Sequence, residues 1–124
     1  MAHNPVRWFE IYVQDTARAK VFYESVLQTT LKKMDSTAMD YWMFPPMVTD
    51  QPGTSGAIVR VEGMPSGNNS TIVYFGCVDC AVEGARVARF GGRIFKEKFS
   101  IGEYGFIVLA LDPDGNMIGL HSLS

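Results

Sequence analysis

The stretch Trp8-Phe9-Glu10-Ile11-Tyr12-Val13-Gln14-Asp15 is matched later in the chain by Ile72-Val73-Tyr74-Phe75-Gly76-Cys77-Val78-Asp79. Each stretch predicts a strand and ends on an aspartate, a residue favoured at the N-cap of a helix. Helical patterns follow at residues 16–27 and 80–90, and the second is stopped by the pair Gly91-Gly92. The chain therefore contains an internal repeat.

The repeat continues beyond the helices. Further strands are predicted at residues 31–34, 40–45 and 55–61 in the first half, and at residues 93–96, 105–111 and 117–123 in the second half. Turn chemistry precedes each last strand, in Asp50-Gln51-Pro52-Gly53 and Asp112-Pro113-Asp114-Gly115. We predict one α+β domain over residues 1–124, in which two βαβββ modules, residues 5–63 and 69–124, form curved mixed sheets around a cup.

Composition excludes several classes of partner. The chain has 124 residues, 47% of them hydrophobic and 19% charged, which is typical of a single folded domain. A net charge of −2 without a basic stripe argues against a nucleic-acid partner. The longest apolar runs have the length of strands, so no membrane span is predicted. With no signal-peptide pattern at the start and two cysteines in all, we expect a cytoplasmic protein.

In their order and spacing, these stretches resemble the vicinal oxygen chelate superfamily, which includes glyoxalase I, extradiol dioxygenases and bleomycin-resistance proteins. The resemblance rests on residues 8–23, 73–79 and 112–120 and extends from about residue 4 to residue 122. More narrowly, the chain is similar to small bacterial proteins related to lactoylglutathione lyase. The resemblance implies that the cup binds a substrate, in many members through a divalent ion that acts as a Lewis acid.

The metal ligands that the resemblance implies are missing. Their positions correspond to four residues whose side chains cannot bind a divalent ion: Trp8, Ala57, Ile72 and Gly119. Gly119 is the clearest departure, because members that hold a metal typically carry Glu there. We therefore expect no metal cofactor.

Glu10 and His121 are the polar residues that we expect in the cup. Side chains alternate along a strand, so Phe9 and Ile11 should pack under a helix while Glu10 projects from the opposite face. Three interpretations of Glu10 and His121 stay open: a polar pair that grips a ligand, an acid/base pair or displaced metal ligands, and a structural pair.

Aromatic side chains are the other candidates for ligand contact. The predicted set is Trp8, Tyr12, Trp42, Tyr74 and Tyr104. Such rings could stack on a planar ligand, but aromatic residues also close small barrels and fill dimer interfaces. The sequence leaves both interpretations open.

Cys77 and Cys80 form a CxxC motif where a predicted strand meets a helix. A helix N-terminus lowers the pKa of a thiol, which redox motifs use. The alternative is that both are small buried apolar residues, and strand alternation favours this for Cys77.

The leading hypothesis is a glyoxalase/bleomycin-resistance-type protein that binds a small organic molecule in the cup without a metal. Whether it is an enzyme stays open, and the alternative is a lyase or isomerase that uses Glu10 and His121. A further alternative is a dimeric accessory module. A homodimer is expected under each reading, with the cup formed either within one chain or between two.

Overall fold

The computed structural model describes residues 4–35, 39–46, 54–67 and 70–124. The chain divides into two compact units. The first unit comprises residues 8–71, and the second comprises residues 72–124 together with the segment that precedes Trp8. Each unit contains an α-helix and four strands, which matches the predicted content of the βαβββ modules.

The first module contains β1 (Val6–Tyr12), α1 (Thr16–Leu27), β2 (Lys32–Met34), β3 (Asp40–Met43) and β4 (Ser55–Arg60). Its strands lie in the order β2-β3-β4-β1. Strands β1 and β4 are parallel, and the other neighbours are antiparallel. The predicted turn at residues 50–53 lies outside the described residues.

The second module contains β5 (Thr71–Gly76), α2 (Cys80–Val87), β6 (Arg93–Ser100), β7 (Phe106–Leu111) and β8 (Met117–Ser122). Its strands lie in the order β5-β8-β7-β6. Strands β5 and β8 are parallel, and the other neighbours are antiparallel. The two modules therefore share one topology, and the predicted α+β class is confirmed.

Both predicted helix caps are present. An Asp15 carboxylate oxygen accepts a hydrogen bond from the amide of Arg18 at 3.0 Å, and Asp79 accepts one from the amide of Ala81 at 3.0 Å. Helix α1 has the bounds that the sequence predicts. Helix α2 ends at Val87 and continues as one turn of 3-10 helix, so the predicted helix of residues 80–90 is two elements.

Strand β6 is longer than predicted. The sequence indicates a strand over residues 93–96, whereas the structure extends it to Ser100. Its register against β7 shifts between Ile94 and Lys96 and again between Lys96 and Phe99. A bulge breaks the regular alternation of side chains, which is why the sequence pattern stops early.

The registers confirm the alignment of one module on the other. In the first module, Glu10 of β1 pairs with Ala57 of β4. In the second, Tyr74 of β5 pairs with Gly119 of β8. These are the pairs that the repeat makes equivalent, so Glu10 and Tyr74 hold the same place in their sheets.

The helices cover their sheets unequally. Between α2 and its sheet, a compact core forms from Cys80, the first residue of α2, with Val108 and Leu120. Under α1, contact depends on Tyr23, whose ring centroid lies 5.8 Å from that of Phe44, which in turn lies 5.5 Å from that of Phe9. Helix α1 has no buried residue. Four of its large apolar side chains are more than half exposed: Val21, Phe22, Val26 and Leu27.

The turn before β8 is organised by Asp112, as the sequence predicts. One carboxylate oxygen accepts from the amides of Asp114 and Asn116, each at 2.9 Å. Hydrogen bonds from the side chain and the amide of Asn116 hold the pKa of the Asp112 carboxyl below its usual value.

In the described part of the chain, no helix has the length and apolarity needed to cross a membrane.

Candidate functional site

Glu10 is a buried carboxylate at the middle of β1, with 5% of its surface exposed. One oxygen accepts from the indole N–H of Trp8 at 3.1 Å, and the other from the hydroxyl of Tyr12 at 2.8 Å. Tyr41 on β3 also interacts with this carboxylate, whose charge adds to burial in raising the pKa of the Tyr41 hydroxyl. A buried carboxylate is costly unless its oxygens are hydrogen-bonded, and here each of the two oxygens has a donor.

Burial, and then the negative charge of Glu10, raise the pKa of both Tyr12 and Tyr41 above the usual value. Both hydroxyls therefore keep their protons, and that of Tyr12 donates to the carboxylate. We call Trp8, Glu10, Tyr12 and Tyr41 the carboxylate–tyrosine cluster. Three of its members alternate along β1, so strand geometry alone places them on one face.

The sequence predicts Trp42 in the cup, but the aromatic residue of β3 that shares the face of Glu10 is Tyr41. Tyr41 is not among the residues that the sequence predicts. On β3, Tyr41 pairs with Val59 and Trp42 with Ile58, so the two side chains project to opposite faces. The indole of Trp42 donates to Asp40 at 3.1 Å. The ammonium of Lys20, on helix α1, lies 5.2 Å from the centroid of the Trp42 ring. Trp42 therefore packs beside α1 and does not share a face with Glu10.

In the second unit, Tyr74 lies across Gly119. A Cβ placed at Gly119 would collide with the edge of the Tyr74 ring. Tyr74 is 7% exposed, so the ring has little room to move aside. At the position where the family resemblance implies a glutamate ligand, the ring of Tyr74 occupies the space that a side chain would need.

His121 projects from the same face of β8 as Gly119, two residues further along. Its Nε2 lies 2.6 Å from the main-chain oxygen of Tyr104. Because a carbonyl oxygen only accepts, Nε2 carries the proton in this contact. The other ring nitrogen, Nδ1, is buried and has no hydrogen-bond partner among the described residues. Tyr104 thus contributes its main chain, while its side chain is 48% exposed.

Glu10 belongs to the first unit and His121 to the second. Each has well-defined contacts within its own unit. Their predicted action as a pair stays a prediction.

The residues present do not fit the divalent ion that the fold family implies. Trp8 donates to Glu10, Ala57 and Ile72 are buried and apolar, and Gly119 lies under a ring. Within residues 4–35, 39–46, 54–67 and 70–124, no three His, Cys, Asp or Glu side chains form a group that could hold a metal ion. Both oxygens of Glu10 are already engaged.

The CxxC motif lacks the features of a redox pair. Burial first, and then the nearby carboxylate of Glu83, raise the pKa of the Cys77 thiol to about 11. Cys80 lies in the core under α2, and both cysteines are free. A reactive cysteine needs a lowered pKa, so these contacts favour the packing interpretation.

No protein-family model matches the chain, and no curated protein matches it in sequence. Solved structures, in contrast, do match the chain. A methylmalonyl-CoA epimerase from Mycobacterium tuberculosis has a TM-score of 0.69 at 13% identity, over 97% of this chain and 88% of that one. A hypothetical protein from Bacillus halodurans has a TM-score of 0.71 at 10% identity, over 96% and 94%. A chain described as an NAD-dependent benzaldehyde dehydrogenase from Legionella pneumophila has a TM-score of 0.64 at 18% identity, over 94% and 98%.

At such identities the likeness shows the fold alone. That fold is the one of the vicinal oxygen chelate proteins, as the sequence predicts. The narrower similarity to proteins related to lactoylglutathione lyase stays a prediction.

Proposed function

We propose that this protein binds a small organic molecule against the sheet face that carries the carboxylate–tyrosine cluster, without the divalent ion used elsewhere in the fold family. The observation behind the proposal is the buried Glu10 carboxylate, held by the donors of Trp8 and Tyr12. Because Glu10 fixes the polar ends of Trp8 and Tyr12, their rings are set before any ligand arrives. Preorganised aromatic surface is well suited to binding, since little further order is lost.

The hydrogen bonds also indicate what a ligand would offer. The Tyr12 hydroxyl donates its proton to Glu10, which leaves oxygen lone pairs that can only accept. The rings of Trp8 and Tyr41 are partly exposed and present apolar faces. A ligand with a flat apolar body and at least one N–H or O–H donor complements this surface.

The two tryptophans of the chain provide a matched test, because Trp8 belongs to the cluster and Trp42 lies on the opposite face. A library of planar fragments is titrated in EDTA against Trp8→Phe and Trp42→Phe, with tryptophan fluorescence as the readout. A fragment that binds at the cluster should quench the fluorescence of Trp8 in Trp42→Phe. The same fragment should bind more weakly to Trp8→Phe. Equal binding to both variants, or no binding by any fragment, would contradict the proposal.

An isomerase or lyase is the second candidate, favoured by the state of His121. With Nε2 donating to Tyr104, Nδ1 carries a lone pair that can take a proton. The structural neighbours include proteins described as methylmalonyl-CoA epimerases, and epimerisation requires a proton to leave and return. In this candidate Glu10 and His121 act as the acid/base pair.

Deuterium exchange tests this candidate directly. Methylmalonyl-CoA is incubated with the protein in D₂O, and deuterium at the carbon between the two carbonyl groups is followed by NMR. Incorporation that is lost in His121→Ala and kept in Tyr104→Phe supports catalysis. A rate equal to that without protein removes this candidate and leaves the binding proposal standing. Metal analysis of the purified protein tests the displaced-metal alternative, which requires a stoichiometric ion that His121→Ala loses.

A further inference from the structure

The second unit carries a guanidinium beside His121. The guanidinium of Arg7 lies in the space that a Cβ of Gly76 would occupy. Gly76 pairs with His121 in the register of β5 and β8. Paired residues of neighbouring strands project to the same face and lie about 5 Å apart. The positive charge of Arg7 is therefore next to the imidazole.

Within the described residues, Arg7 has no carboxylate partner, and one of the two ring nitrogens of His121 has no hydrogen-bond partner. The ion pairs found there join Lys20 to Glu24 and Lys98 to Asp79, and they leave Arg7 without a carboxylate. The Nδ1 atom of His121 is buried without a hydrogen-bond partner. Arg7 is exposed, so water can satisfy its donors. Buried polar atoms are nearly always paired in folded proteins, so the unpaired Nδ1 of His121, beside a cation without a carboxylate partner, indicates a missing partner.

The surroundings define the shape of that partner. Tyr74 precedes Gly76 by two residues on β5. The ring of Tyr74 covers Gly119, which precedes His121 by two residues on β8. An apolar ring thus borders the cation on the same face. A guanidinium presents its donors in a planar fork that fits two oxygens of one anionic group.

From these contacts we propose that Arg7 and His121 bind an oxyanion, a carboxylate or a phosphate monoester, on a ligand whose apolar part lies along Tyr74. Arg7 neutralises the charge, and Nδ1 of His121 makes a second polar contact, directly or through one water. The inference rests on the proposed function, since it states which chemical group the ligand carries. A side chain at position 76 would occupy the space that the guanidinium fills, so Arg7 would have to turn away from it.

The experiment compares matched probes by calorimetry on the full chain: phenylacetate, phenyl phosphate and the neutral phenylacetamide. The variants are Arg7→Gln and, as the control, Arg93→Gln, an exposed arginine at the start of β6 in the same unit. Arg7→Lys keeps the charge and removes the fork. Losing a hydrogen bond to a charged group typically lowers affinity by a factor of about 10 to 100.

We expect at least one anionic probe to bind about tenfold or more tightly than phenylacetamide. Arg7→Gln should abolish that preference, Arg7→Lys should keep part of it, and Arg93→Gln should leave it unchanged. The tighter of the two anions identifies the group. An amide that binds as well as both anions, or a preference that survives in Arg7→Gln, overturns the inference alone. If neither these probes nor any fragment of the library binds, the proposed function is overturned as well.

Discussion

Replacing Tyr12 with Phe removes one of the donors to the buried carboxylate and leaves the ring in place. The hydroxyl lies 2.8 Å from an oxygen of Glu10. Tyr12 is 8% exposed and Glu10 is 5% exposed, so water cannot readily replace the lost donor. The substitution therefore isolates the hydrogen bond from the packing of the ring.

The magnitude follows from that geometry. A hydrogen bond to a charged group contributes about 1.5–3 kcal/mol to stability, and a buried acceptor left unpaired adds to the loss. Trp8 still donates to Glu10, which keeps the expected effect near the middle of that range. We expect Tyr12→Phe to lower the free energy of unfolding by about 2 kcal/mol.

Urea denaturation followed by circular dichroism measures the effect. The control is Tyr104→Phe, whose side chain is 48% exposed and should change stability by less than about 0.5 kcal/mol. A double-mutant cycle with Glu10→Gln separates the hydrogen bond from general packing. A loss below about 0.5 kcal/mol in Tyr12→Phe, or no coupling with Glu10→Gln, would refute the reasoning.

At alkaline pH, the raised pKa of Tyr12 and Tyr41 means that the folded protein keeps protons that the unfolded chain releases above pH about 10. Stability should be constant below that pH and fall above it, less steeply in Tyr12→Phe; a flat urea midpoint up to pH about 11 would be inconsistent with this. Gly119→Ala should cost about 1–3 kcal/mol, because its Cβ would meet the Tyr74 ring, and Tyr74→Ala in the same chain should cancel part of that loss in urea titrations. If Gly119→Ala matches the wild type, the ring does not cover this glycine. Iodoacetamide at pH about 8 should modify Cys77 on the order of 100-fold more slowly than a free thiol, because its pKa is raised to about 11. Mass spectrometry measures the extent of labelling, and modification of Cys77 at the rate of a free thiol would contradict the raised pKa.

Much of the fold is predictable because each module carries its own local signals. Asp15 and Asp79 mark the strand-to-helix junctions, and both cap their helices as expected. The repeat then aligns Glu10 with Tyr74, and the observed registers agree. Alternation along β1 is strong enough to place Trp8 and Glu10 on one face.

The candidate site is less predictable because it depends on pairing between strands. Strand β3 is four residues long and contains adjacent aromatic residues, so alternation cannot decide between Tyr41 and Trp42. Only the register against β4 shows that Tyr41 shares the face of Glu10. The absence of a side chain at Gly119 is visible in the sequence, but the ring of Tyr74 that fills the space is not.

The hydrogen-bond partner of His121 is also not predictable from the sequence. Its contact at Nε2 is a main-chain oxygen, and any residue at the position of Tyr104 could supply that atom. No side-chain pattern can indicate such a partner. The position of the Arg7 guanidinium beside His121 is not predictable from the sequence either. Arg7 comes close to His121 by lying over Gly76, which has no side chain.

The most direct test of the central claim is the indole N–H resonances of Trp8 and Trp42 in a ¹H–¹⁵N spectrum during ligand titration. The protein is first treated with EDTA, and the ligand is the tightest binder from the fragment library. We predict a saturable shift of the Trp8 resonance, whose N–H contacts Glu10 at 3.1 Å, and no shift of the Trp42 resonance. A shift confined to Trp42, or binding that returns only when a divalent ion is restored, would contradict the account.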